Sequence, residues 1–210
     1  MFSFLLNVIR IDVVLELISF AICIFISLSF LRAHLRLGLS TFVLLSAGFG
    51  LMGGAMLVRA ITIGAALFGF FGRDLSRSLA PYLFQVELLY SFVRLAAYLV
   101  FVLAYVLRPA SRSGVQAAVV PPPLLLIYNP AFELMSVVVL AYVVIASTAN
   151  WMRTGSKGSG SVAGGFWALL ASHLLFALTP LSFLLYFAGH AAQLLSLLLI
   201  LWGSLEAMRG

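Results

Sequence analysis

Charged residues fall along this chain in a way that leaves long stretches with none. No charge separates Arg36 from Arg59 or Glu133 from Arg153, and only two histidines interrupt the run from Lys157 to Glu206. A run of about 18 or more apolar residues is long enough to cross the bilayer core as a helix. The apolar positions keep no polar face, as expected of helices that meet lipid on one side and other helices on the other. The pattern predicts an all-α, polytopic membrane helix bundle of six or seven spans. The first is a retained span that continues to about Leu31. Asp12 and Glu16 stand where a signal peptide needs positive charge, and no small-residue cleavage site precedes Arg32.

The spans repeat. "LELISFAICIFISLSFLRAHLR" (15–36) lies over "FELMSVVVLAYVVIASTANWMR" (132–153), pairing Glu16 with Glu133, Ser19 with Ser136 and Arg36 with Arg153. The second spans align one residue further apart. Ser46, Gly50 and Gly54 then meet Gly164, Ala168 and Ser172, small residues four apart of the kind that let membrane helices approach closely. The third spans align at an offset of 96, with Leu88-Leu89-Tyr90 over Leu184-Leu185-Tyr186 and Arg94 over His190. The shorter offset puts extra residues in the first copy, near 61–81. They read as an extended second span, an interfacial helix or a re-entrant hairpin. The organisation expected is a duplicated three-helix unit: a first repeat over 1–107, a proline-rich linker over 108–130 and a second repeat over 131–210. In layout alone, this three-plus-linker-plus-three plan resembles small sugar transporters of the SWEET type. The chain has none of their residue signatures.

The linker decides the symmetry. If 115–128 stays on one side, the chain crosses six times and the copies are inverted. If it crosses, there are seven spans and the copies are parallel. Pro121–Pro123 argue against an ordinary spanning helix, but a sheltered extended segment rises about 3.1 Å per residue and reaches across in about ten residues. Positive charge favours seven crossings. Arg32, Arg36, Arg108 and Arg112 then join Arg153, Lys157 and Arg209 on one side, against Arg10, Arg73 and Arg77 on the other. The N-terminus is then outside a cell membrane and the C-terminus cytoplasmic.

Composition narrows the classes. Of 210 residues 64% are hydrophobic and 9% charged, and mean hydropathy is +1.19. Soluble domains carry about 25% charged residues, so the lipid bilayer is the first partner. The +6 balance fits anionic headgroups rather than nucleic acid. One cysteine, Cys23, excludes an intrachain disulfide and a cysteine metal cluster. No hydrolase, protease or phosphate-loop motif is present, and "GSKGSGS" (155–161) is a turn. No enzyme activity, cofactor or metal is expected. A bis-histidine haem would have only His173 and His190 to use.

The polar groups inside spans supply the candidate chemistry. Under the seven-span layout Glu16, Glu133, Tyr90, Arg94, Tyr186 and His190 fall in the outer half of the bundle, with Arg59 and Glu87, while His173 sits deeper. Asp12 falls at the lipid boundary. Charges in hydrocarbon face inward and pair, so Arg94 is expected near an acid of the first copy and His190 near one of the second. The functional reading is a small-solute or ion carrier, or a ligand-binding membrane module, with its site at Glu16, Arg94, Glu133, His190, Tyr90 and Tyr186. The other reading is a structural or assembly subunit, as a homo-oligomer or within a larger complex, in which the same residues brace helices and the acids complement helix dipoles.

Overall fold

The computed structural model describes residues 2–69, 79–107 and 130–209. These form six helices: α1 (Phe2–Leu37), α2 (Ser40–Gly69), α3 (Leu79–Val106), α4 (Pro130–Thr154), α5 (Lys157–Ala177) and α6 (Phe183–Arg209), with a 3-10 turn at Thr179–Leu181. All six are long and apolar enough to cross a membrane. Large apolar side chains such as Val138, Ile145 and Trp202 point outward, the surface a bilayer wets. The extra residues of the first half lengthen α2 to Gly69 and start α3 at Leu79. What lies between, and the 108–129 segment, fall outside the described residues.

Two hairpins use the same device. Gly38 and Gly155 both adopt positive φ, at 68° and 62°. Each donates its N–H back four residues, to the carbonyls of His34 and Trp151. A left-handed glycine closes a helix without a Cβ penalty. The Ser156 hydroxyl then caps α5 by accepting from the Ser159 N–H.

Each helix packs on the next in chain order, and α6 returns to α1, so the six close into a ring. Their directions follow from matched levels. Ser27 bonds Ser46 and Phe30 stacks on Phe42, so α1 and α2 are antiparallel. Tyr98 meets His173 while Phe101 and Tyr105 meet Phe166, so α3 opposes α5. Glu133 also meets His173, and Trp167 meets Thr148, so α4 opposes α5 as well. Hence α3 and α4 run parallel. Likewise Asp12 meets Tyr186, and a groove further along is lined by Ser29 and Arg32 with Leu201 and Leu205, so α1 and α6 run parallel. The starts of α1, α3, α4 and α6 share one end of the bundle. The Gly38 and Gly155 turns share the other, called here the hairpin end. Leu107 and Pro130 therefore lie at opposite ends.

The centre is aromatic toward the hairpin end. Phe49 packs on Phe101 at 4.6 Å and on Phe166 at 6.4 Å, and all three rings are fully buried. Burial also recurs along the chain. Ser19, Cys23, Ile26 and Phe30 of α1 are buried, as are Ser136, Leu140, Val143 and Ser147 of α4, each 117 further on. In α2 and α5 the buried positions pair as Phe49 with Phe166, Met52 with Leu169 and Met56 with His173. That register is 117 as well, one residue away from the alignment by small residues, because the fully buried large side chains fix which face points inward. Arg94, Phe101 and Ala104 of α3 pair with His190, Leu197 and Ile200 of α6 at the expected 96.

Candidate functional site

Every helix sends a charged or titratable side chain toward the end where α1, α3, α4 and α6 begin. On α1, Asp12 and Glu16 are four apart and share an inward face; both are buried. Arg59 of α2 reaches them, with its terminal nitrogens 2.9 Å from Asp12 and 2.8 Å from Glu16. Its Nε donates to Glu87 of α3 at 2.8 Å. One guanidinium thus holds three carboxylates, which its five fixed donors allow.

A second tier lies one turn deeper. Arg94 of α3 pairs with Glu133 of α4. The other Glu133 oxygen is 2.5 Å from His173 Nδ1 of α5. His173 Nε2 is in turn 2.6 Å from the Tyr98 hydroxyl. Tyr90 joins the tiers: the Arg59 and Arg94 guanidiniums lie 5.1 Å and 5.0 Å from its ring centre. On α6, the Tyr186 hydroxyl donates to Asp12. His190 Nε2 lies 3.2 Å from the same carboxylate, at ion-pair distance but not aligned for a hydrogen bond.

The structure brings all six sequence-predicted site residues into this cluster. It changes their pairing. Arg94 meets the acid of the second half, Glu133, and His190 meets an acid of the first, Asp12. The reason is the closed ring, in which α3 abuts α4 and α6 abuts α1. It also adds residues. Asp12 is buried in the cluster, and α1 starts at Phe2, well before it. For the same reason Glu16 is not at a helix start, and the dipole explanation holds only for Glu133, in the first turn of α4. His173 belongs with the others: α5 runs antiparallel to α4, so its last turns meet the first turn of α4. Asp12 was findable from its spacing of four from Glu16; His173 carried no local signal.

Three buried polar atoms of the cluster, Glu16 Oε2, Arg94 Nε and His190 Nε2, have no hydrogen-bond partner among the described residues. Leaving such groups dry is costly. Glu87 and Glu133, each with about a fifth of its side chain exposed, connect the cluster to the surface. Among the described residues, no group of three or more His, Cys, Asp or Glu side chains is arranged for a metal ion. Both nitrogens of His173 are engaged, so it offers none to a haem iron. Compared with known proteins, the chain matches no family model, no curated protein and no solved structure. The functional reading therefore rests on the cluster.

Proposed function

We propose that this multi-pass membrane protein is a carrier or binding module for a small polar solute or ion, and not an enzyme. The observation that carries the reading is the convergence of charged or titratable side chains from all six helices on a centre with a carboxylate oxygen that has no partner among the described residues. Intramembrane charge is expensive and is retained where it serves a pathway. The aromatic layer of Phe49, Phe101 and Phe166 closes the centre toward the hairpin end, while the polar half reaches the opposite surface. That is the arrangement of a site open to one side.

The same reading includes a duplicated three-helix unit in parallel orientation, with α1–α3 matching α4–α6. The repeated burial pattern and the twin glycine turns support it. Leu107 and Pro130 at opposite ends support a seventh crossing by the 108–129 segment, whose 22 residues are long enough for it. Exposed Arg32, Arg36, Arg153 and Lys157 lie around the hairpin end, which favours a cytoplasmic hairpin end and C-terminus in a cell membrane.

A second reading, a brace within a larger membrane complex, is favoured by Arg59, whose three carboxylates leave it fully occupied. One experiment separates the two. Purified protein is screened with small polar solutes for protection against thermal unfolding, and those that protect are tested for uptake into proteoliposomes. A carrier loses protection and uptake in Arg94→Ala and His190→Ala while the variants stay folded in detergent. If no solute protects, the variants only lower the unfolding temperature, and the native protein purifies with partner subunits, the brace reading holds instead.

A further inference from the structure

We infer that the ion this site exchanges is the proton, taken up as the cluster's means of neutralising its own surplus of negative charge. The inference rests on the carrier reading for its physiological use, but its geometry stands apart. Four carboxylates, Asp12, Glu16, Glu87 and Glu133, meet two guanidiniums, Arg59 and Arg94. Among the described residues, two minus four leaves the cluster at −2 with neutral histidines. A low-dielectric interior penalises uncompensated charge severely. Two added protons bring the balance to zero.

The groups that would receive them are in place. Each half supplies a histidine set against a carboxylate that already holds an arginine: His173 on Glu133 with Arg94, and His190 on Asp12 with Arg59. His173 is faced by Glu133 of α4, Tyr98 and Arg94 of α3 and, on its own helix, Phe176. His190 is faced by Asp12 and Glu16 of α1, Tyr186 of α6 and Phe176 of α5, with Arg59 of α2 across Asp12. The Tyr98 hydroxyl is a rotor. It donates to Nε2 of a neutral imidazole and accepts from the N–H of an imidazolium, so His173 gains or loses a proton without losing a partner. Glu16 Oε2, buried and without a partner among the described residues, is a further position for a proton. The protons belong to the cluster as a coupled set rather than to one residue.

The test needs no solute. The chain has three histidines, so protein labelled with ¹⁵N-histidine in lipid nanodiscs gives a simple spectrum, and His34→Gln identifies the signal from the last turn of α1. Between about pH 9 and about pH 5 the His173 signal should convert from imidazole to imidazolium. A pH-jump with an indicator dye, in the His34→Gln background, should show Glu16→Gln taking up about one proton fewer, since it removes one of the charges to be balanced. An invariant His173 signal across this range overturns the inference, as does equal proton uptake by Glu16→Gln and its parent. Failure of the carrier reading looks different. Proton exchange would persist, while no solute moved into proteoliposomes under an imposed pH gradient.

Discussion

At the scale of single residues, the cluster behaves as a set of unequal contributions. Glu133 holds Arg94 with one oxygen and His173 with the other. Glu133→Ala strands both, and breaking a buried pair by removing one partner costs about 3–5 kcal/mol; thermal unfolding in detergent should show this loss. Tyr90 contributes its ring face to two guanidiniums. Tyr90→Phe should therefore unfold near the parent temperature, and Tyr90→Leu should lose about 1–3 kcal/mol through two lost cation–π contacts. The residue types at this site were legible in the sequence: an acid, an arginine or a histidine inside an apolar run has to face inward and pair. Which acid meets which base was not, because Arg94 meets Glu133 through the packing of α3 on α4, and His190 meets Asp12 through the return of α6 to α1, and no spacing along the chain gives either.

At the scale of helices, small residues do two different jobs. A Cβ at Gly203 would stand 2.6 Å from the Gly158 carbonyl oxygen, and one at Gly165 would stand 2.9 Å from that of Ser196. These contacts are against backbone, which cannot swing aside, so α5 and α6 must separate. Gly203→Ala should cost about 1–3 kcal/mol, the usual penalty for overpacking, read again as a lowered unfolding temperature. Gly54 has nothing within 4 Å of such a Cβ. With Gly50 and Ala47 it lines an apolar cavity of about 720 Å³ between α2 and α3. Gly54→Ala should leave the unfolding temperature unchanged or slightly raised. The sequence pattern marks the Gly50 and Gly54 stretch as a smooth face for helix packing. Only the rotation of α2, fixed by Phe49 and Met52 turning fully inward, leaves the Gly54 face lining a gap. Helix existence was easier to read than helix rotation because length and apolarity decide the first, and a chain apolar on every side gives little to decide the second.

At the scale of the molecule, the parallel run of α3 and α4 makes the topology testable from well-described turns. After Cys23→Ala, single cysteines at Leu39, Ser156 and Ser182, all exposed, are labelled in intact cells with a membrane-impermeant maleimide. Leu39 and Ser156 should react as a pair, opposite to Ser182. In a six-span chain of alternating hairpins Leu39 and Ser156 would lie on opposite sides, and the parallel arrangement would fail. The layering of the interior then has an electrical consequence. A transmembrane voltage drops mainly across material that excludes water; on the carrier reading that is the buried layer of Phe49, Phe101 and Phe166, with Glu87 and Glu133 partly exposed in the charged half. A charge entering from the hairpin end would cross most of the field, about 2.3 kcal/mol per elementary charge for each 100 mV. One entering from the opposite end would cross little of it. On the carrier reading, a membrane potential would thus bias one half of a binding and release cycle strongly and leave the other nearly untouched.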